Sequence, residues 1–362
     1  MSQEWTGEEG GEKSPTAREP PARPPPRPVP PPTLLTTDYK RTAAATAAAS
    51  EADQAAALAA AHARGAARVR DLCHANGGVY VKLGQHVATL VRAGEEKVCR
   101  ALARARRADP PPSPSAPPFP RQDHLLPSEY VSEMRATMLN ACPPSPYADV
   151  AATVEAELGA PITSLFASFD RAPVASASLA QVHRAVTVGG DAVAVKVQHR
   201  GLREACAADV ATVAALVAAA RLAFPSFDLS WLVAEVKANL PAELDFRREA
   251  ANAARCSANL ARGASRVAGR VSVPRPHPAL PPTPRVHVME WVDGVPVNDG
   301  AGLDAAGVNR ADAAALVARA FAEMTFRHGF VHADPHAGNL LVRRGGDGRA
   351  ELVLLDHGLY RE

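Results

Sequence analysis

Aromatic residues make up only 5% of this 362-residue chain, so large rings can fill little of its core. Cysteine is scarce as well. Cys73, Cys99, Cys142, Cys206 and Cys256 are odd in number, far apart, and form no C-x-x-C pair. That spacing argues against a disulfide framework or a zinc site and fits a reducing compartment. An excess of one charge is also missing. Lys plus Arg number 40 against 38 Asp plus Glu, a formal net charge of +2, which gives no reason to expect a nucleic-acid partner. Long apolar runs are absent too. The longest clean one, Val210 to Ala220, falls short of the ~20 residues needed to cross ~30 Å of hydrocarbon. No secretory h-region opens the chain, and Glu4, Glu8, Glu9 and Glu12 precede the first arginine, which suits a transit peptide poorly.

Proline and alanine are what the chain has in quantity. Proline stands at 33 residues, nearly twice a usual ~5%. Residues 1–36 read as a disordered Pro-rich tail. Residues 92–122, where Arg100, Arg104, Arg106 and Arg107 lead into Pro110-Pro111-Pro112, read as a disordered insertion. Between them, 37–91 is an Ala-rich helical extension broken at Asn76-Gly77-Gly78, with a second helix expected from Val79 to about Val91. Thr153–Asp170 suggests a short helix and a connector. Leu179–Val188 and Ala192–Gln198 alternate about Gly189-Gly190-Asp191, a hairpin with a glycine turn. Helical patterns follow over Leu202–Phe224 and Leu229–Ala261, the second interrupted at Pro241. A strand at Val286–Val292, a helix at Ala311–His328 and a short buried strand at Leu352–Leu355 complete an α+β pattern.

The densest chemistry lies in His332-Ala333-Asp334-Pro335-His336-Ala337-Gly338-Asn339, followed by Asp356-His357-Gly358 at the end of an apolar strand. An Asp, an Asn five residues on, and a strand-borne Asp form a phosphoryl-transfer pattern. Asp334 can accept a hydroxyl proton. Asn339 and Asp356 offer oxygen ligands to a hard Mg²⁺ from two separate segments. A merely solvated polar loop would not explain the strand-borne Asp356.

Period two in Ala192-Val193-Ala194-Val195-Lys196 puts Lys196 on the face of Ala192 and Ala194, opposite three valines. From there it can reach phosphate oxygens, and Ala194 leaves room for a flat adenine. An edge lysine that discourages strand pairing is the alternative; the downstream Asp pair favours the phosphate reading. A carboxylate partner for Lys196 lies among Glu243, Asp245 and Glu249, and on a helix starting after Pro241, Asp245 and Glu249 share a face. Ala175-Ser176-Ala177-Ser178-Leu179 stands where a kinase has a Gly-rich loop, at the opening of the hairpin's first strand. Alanine resists positive φ, so this loop should be stiffer and less close-fitting than a glycine one.

Taken together these residues resemble the UbiB/aarF-domain-containing atypical kinases, and most closely their type-one mitochondrial subgroup. The hallmarks match Asn76–His86, Ala177–Gln181, Val193–Gln198, Asn239–Glu249, Trp291–Gly294 and Gly329–Tyr360. The resemblance implies a protein-kinase-like two-lobe α+β fold with an N-terminal helical extension, an N-lobe over 123–292 and a C-lobe over 293–362. It implies ATP or ADP with Mg²⁺ as cofactors, Lys196 as the phosphate lysine, Glu249 as its helix partner, and Asp334 as catalytic. Nucleotide contacts would come from Ala175, Ser176, Ala177, Ser178, Ala194, Met289, Glu290, Trp291 and Val292. The signature Lys82-Leu83-Gly84-Gln85 places Lys82 and Gln85 on one helix face. By resemblance it folds over the nucleotide cleft toward Glu243 and Asp245, as a regulatory cover that blocks a protein substrate. The setting implied is lipid or quinone homeostasis in the mitochondrion, or the plastid, with a membrane lipid or an isoprenoid or quinone precursor as partner.

Three features depart from the pattern. An insertion occupies 92–122 ahead of Leu125-Leu126-Pro127-Ser128-Glu129-Tyr130. His357 stands where most kinases have Phe, although the type-one subgroup resembles this chain there. The chain ends at Glu362, which leads to the expectation of a truncated C-lobe and a partial gene product. Two other functions compete with an ATP-dependent kinase or ATPase: a nucleotide-binding pseudokinase scaffold at a mitochondrial membrane, and a small-molecule phosphotransferase of the aminoglycoside or choline type. Lys82-Leu83-Gly84-Gln85 has no place in the latter.

Overall fold

The computed structural model describes residues 32–89, 127–138, 142–223, 230–262 and 265–362. The expected insertion at 92–122 and residues 1–31 of the expected tail lie outside the described residues. The last five residues of that tail, 32–36, are instead helical. They open α1 (Pro32–Thr46), because proline at a first helical position forfeits only an N–H that has no intrahelical acceptor.

The N-terminal helices owe their packing to small residues. Ser50 caps α2 (Glu51–Asn76) by accepting from the Asp53 N–H, and Gly77, at φ 64°, ends it. The chain turns at once into α3 (Gly78–Thr89), which meets α4 (Ser128–Met138). A Cβ at Gly65 would collide with the Tyr130 hydroxyl, so this glycine makes room on α2 for the Tyr130 ring of α4. Val79 and Leu83, four residues apart on α3, pack against Leu202, Val236, Leu240 and Leu244. That apolar seam seats α3 over the rest of the molecule and leaves Lys82 and Gln85 on the adjoining face.

Next comes an antiparallel sheet. It contains β1 (Phe166–Phe169), β2 (Ala175–Ser176), β3 (Ala180–Thr187), β4 (Ala192–Gln198) and β6 (Val286–Glu290), in the order β1-β3-β4-β6 with β2 on β3. Gly190, at φ 91°, makes the turn of the β3–β4 hairpin. Val193, Val195 and Val197 are 1%, 0% and 1% exposed against Val150 and Val154 of α5 (Tyr147–Leu158), as the alternation requires. Two strands differ from the sequence expectation. After α5 and the single-turn α6 (Ile162–Leu165), β1 replaces a connector. The alanine-rich loop does not open β3: Ala175–Ser176 is a strand of its own, joined to β3 by a tight turn. Segments this short show no periodicity, and only their partners define them.

Three helices follow: α7 (Leu202–Ala223), α8 (Ser230–Glu243) and α9 (Phe246–Ala261). The interruption expected at Pro241 falls instead at Leu244–Asp245. Pro241 lies in the last turn of α8, where the loss of one backbone donor is tolerated, and Leu244 still donates to the Leu240 carbonyl. Asp245 is the N-cap of α9, accepting from the Arg247 N–H and pairing with its guanidinium, so it does not share a helix face with Glu249.

A second core lies beyond. Here β5 (Val271–Ser272), β7 (Val295–Pro296), β9 (Leu340–Arg344) and β10 (Ala350–Leu354) form a sheet in the order β5-β10-β9-β7. Its apolar face packs on Leu316 and Ala320 of α11 (Arg310–Glu323), which follows the short α10 (Gly300–Ala305) and runs on into a π turn, Met324–His328. A two-stranded ribbon of β8 (Val331–His332) and β11 (Tyr360–Arg361) brackets the polar loop between them. Among the described residues no helix is long and apolar enough to cross a membrane.

Candidate functional site

Where the two cores meet, a cavity of about 540 Å³ opens. It is lined from four directions: by Lys82 and Gln85 of α3, Ala177–Ala180 of the alanine-rich loop, Lys196 and Glu249, and Asp334, His336, Asp356 and Gly358 of the C-terminal loops. At its centre the Lys196 ammonium donates to both carboxylate oxygens of Glu249, at 2.7 and 2.8 Å, and lies 3.2 Å from Asp356 Oδ1. Register explains the first contact. Lys196 sits on the β4 face away from the valines, over which α9 runs, and Phe246 places its ring 5.2 Å beneath the ammonium.

Electrostatics couples the group. Burial alone would depress the Lys196 ammonium, but Asp356 and Glu249 outweigh it and its pKa is raised. Burial opposes ionisation of Asp356 too. Lys196, Lys82 and the Gly358 N–H prevail, and the carboxyl is held well below its ordinary range. For Glu249, burial and the neighbouring Asp356 charge dominate and its pKa is raised. Of the two carboxyls beside Lys196, Asp356, which faces the cavity, is thus the more acidic and Glu249 the less.

Lys82 lies 2.7 Å from Glu243 Oε2, both largely buried. Its pKa is raised because Glu243, Asp334 and Asp356 together overcome its desolvation, so it shares the field of the carboxylates lining the cavity. Gln85 Oε1 accepts from the Ser178 hydroxyl at 3.0 Å and joins α3 to the alanine-rich loop. Asp245 is not part of this contact; it caps α9.

Asn339, 6% exposed, closes a short 3₁₀ turn, Ala337–Asn339. Its Nδ2 donates to the Asp334 carbonyl at 3.1 Å, which leaves its Oδ1 as the uncommitted amide atom. Its backbone carbonyl accepts from the Leu355 N–H, tying the loop to the strand end that carries Asp356. His332 accepts from the Asp334 N–H at Nδ1 and donates through Nε2 to the Leu355 carbonyl, so one neutral tautomer spans both segments.

The remaining candidates sit apart. Ala194 and Met289 are paired across β4 and β6, two residues beyond Lys196, and neither lines this cavity; nor do Glu290, Trp291 and Val292. The Arg184 guanidinium stacks over the Trp291 ring at 4.9 Å, and Glu290 pairs with Arg275. Among Ala175 to Ser178, only Ala177 and Ser178 reach the cavity wall.

Sequence reading missed two residues. Asn252, one turn after Glu249, donates to the His357 carbonyl at 3.0 Å and so clamps the segment carrying Asp356. The i,i+3 spacing from Glu249 was the available signal. His287, paired with Lys196 across the strands, is 2% exposed, and neither ring nitrogen has a hydrogen-bond partner. Burial, with Lys196 and His357 nearby, pushes its pKa down to about 4, and burial likewise lowers His357 to about 4.

Residues 137–362 match the family model for the ABC1 atypical kinase-like domain. The chain belongs to the ABC1 atypical kinase-like family. A putative ABC1 protein of Arabidopsis thaliana is 40% identical over 83% of this chain and 51% of its own length. The mouse AarF domain-containing protein kinase 1 is 39% identical over 83% of this chain and 50% of its own. The chain thus spans about half the length of these relatives. An erythromycin complex of a Mycobacterium tuberculosis protein aligns at 32% identity over 60% of this chain and 52% of that one, with a TM-score of 0.45, too low to carry an inference. The ABC1 domain fixes the fold as kinase-like α+β, with helices α1 to α3 lying ahead of the matched residues.

Proposed function

We propose that this ABC1 domain binds a magnesium nucleotide, ATP or ADP, in the cavity at Lys196 and acts as an ATP-dependent phosphotransferase or ATPase. One observation carries the reading. A single buried ammonium touches Glu249 and Asp356 together, at the edge of a cavity whose opposite wall carries Asp334. Lys196 is the group for phosphate oxygens, and Glu249 orients it. Asp334 faces the space where a substrate hydroxyl would lie and can hold its proton.

Asn339 and Asp356 fit a magnesium ion by donor chemistry. One contributes an amide oxygen whose nitrogen is already committed, the other a carboxylate kept ionised by two lysines. Bound there, the ion would neutralise charge on the phosphates. The adenine end of the site is assigned to Ala194, Met289 and the Glu290–Val292 segment, which continue the β4–β6 pair beyond Lys196.

Thermal shift of the full chain with Mg²⁺–ATP and Mg²⁺–ADP tests the reading. Wild type should be stabilised and the Asp356→Asn and Lys196→Ala variants should not. Equal, null shifts in all three would refute it. A pseudokinase scaffold is the second reading. It is favoured by the Lys82–Glu243 and Gln85–Ser178 contacts, which keep α3 over the cavity. Phosphate release faster than that of Asp334→Ala would exclude it. The wider role proposed, action on a lipid or an isoprenoid or quinone precursor at a mitochondrial membrane, rests on the family resemblance. Organelle fractionation with lipid profiling of a null strain tests it.

A further inference from the structure

Ser145 and His199 lie outside every role assigned above, yet they grip the alanine-rich loop. His199 lies just past β4, and its backbone N–H donates to the Leu179 carbonyl at 3.0 Å. Its ring reaches the other side of the same turn: Nε2 lies 2.9 Å from the Ala177 carbonyl. A carbonyl only accepts, so Nε2 carries the proton and Nδ1 is an acceptor, 2.8 Å from the Ser145 hydroxyl that donates to it. Ser145 is itself anchored. Its N–H donates to Gln181 Oε1 at 2.6 Å, and the Gln181 amide donates to His183 Nε2 at 2.8 Å. His183 Nδ1 in turn donates to the Asp170 carbonyl at 2.7 Å. Gln181 and His183 are 1% and 0% exposed, so the chain of donors is seated in the protein interior.

We propose that His199, oriented by Ser145, is a positioning residue that sets the shape of the Ala177–Leu179 turn. A glycine loop adapts to its ligand; a loop of alanine and serine must be built in the right shape beforehand. Here the shape is imposed at three consecutive residues. His199 holds Ala177 through its ring and Leu179 through its backbone, and Gln85 holds Ser178 from the opposite side. The consequence for nucleotide affinity rests on the reading of the cavity given above; the clamp on the loop does not.

The test uses the full chain with His199→Phe, which keeps a ring but no donor, His199→Gln, which keeps a donor, and Ser145→Ala. Amide hydrogen exchange is followed without nucleotide, and Mg²⁺–ADP and Mg²⁺–ATP are titrated calorimetrically. His199→Phe should speed exchange at the Ala177 amide and at the position-199 amide, which donate to the Ala180 and Leu179 carbonyls, and weaken nucleotide binding, each by about tenfold, the worth of one lost hydrogen bond to a pre-shaped loop. Ser145→Ala should do the same to a lesser degree. His199→Gln should restore both to within about threefold of wild type, and exchange at Val193–Val197 should not change in any variant. Wild-type exchange in the Phe variant, or a Gln variant as loose as Phe, would overturn the proposal. Should His199→Phe fail to fold, Ser145→Ala against wild type decides it by the same exchange measurement. A wild-type chain that binds neither nucleotide sinks the reading of the cavity, and the exchange arm still decides the clamp.

Discussion

Two regions of the molecule each place a lysine–glutamate pair at the same cavity, and they build it differently. Lys196 stands on β4, paired across to Val182 on one side and His287 on the other, and meets Glu249 through both carboxylate oxygens. Lys82 stands on α3, which is held by apolar contacts such as Val79 and Leu83, and its ion pair runs to a residue on another helix, Glu243. A strand fixed on both edges cannot shift one lysine without breaking its ladder. A helix seated on an apolar seam can move as a body. The β4 pair is thus held by its ladder, and the α3 pair by side-chain contacts alone.

The largest effect should come from breaking the β4 pair. Lys196→Met leaves Glu249 buried and unpaired, at a cost of about 3–5 kcal/mol by urea unfolding, together with loss of nucleotide binding. Lys196→Met with Glu249→Leu should recover most of the stability and none of the binding. Recovery of both would show that the pair is a packing device.

Acid should be next. His287 and His357 are neutral in the folded domain, with pKa values of about 4 against an ordinary 6.5, so the unfolded chain takes up protons first as pH falls. Stability is full above pH 6.5, declines between there and about 4, and levels off below. Each histidine accounts for up to about 3 kcal/mol. Unfolding curves across that range should lose slope in His287→Leu.

Breaking the Lys82 pair should affect nucleotide binding less. Lys82→Met is expected to lower stability by about 3 kcal/mol, the low end for a buried pair, and to raise the dissociation rate of Mg²⁺–ADP in stopped flow, with α3 still docked through Val79. A dissociation rate unchanged from wild type would make α3 a permanent wall. The smallest change is Asn252→Ala, which loses its bond to the His357 carbonyl and about 1 kcal/mol.

The same contrast explains what could be read from the sequence. Lys196 was legible because period two on a valine-rich strand fixes its face without reference to anything distant. Asp334 and Asp356, which line the cavity, could be picked out because their chemistry is spaced along one short stretch; Asn339 shares that spacing but is not in the lining. Local pattern narrowed Glu249 to three carboxylates, and only the family resemblance singled it out, since the choice depends on where α8 ends. That point is set by the burial of Leu244 and Phe246 and by the Asp245 cap, not by the proline that seemed to mark it. The Lys82–Glu243 contact joins residues far apart in the chain, which no local pattern encodes; the family resemblance supplied it. Two-residue strands such as β2 and the orphaned ring of His287 exist only through their neighbours.

Asp356 is the one non-glycine residue among the described residues in the left-handed region, at φ 52°. A side chain with a Cβ is uncomfortable there, by roughly 1 kcal/mol. In that conformation the carboxylate lies 3.2 Å from the Lys196 ammonium and accepts from the Gly358 N–H, contacts that offset the cost. Asp356→Gly would relieve the backbone and forfeit the carboxylate at the same position.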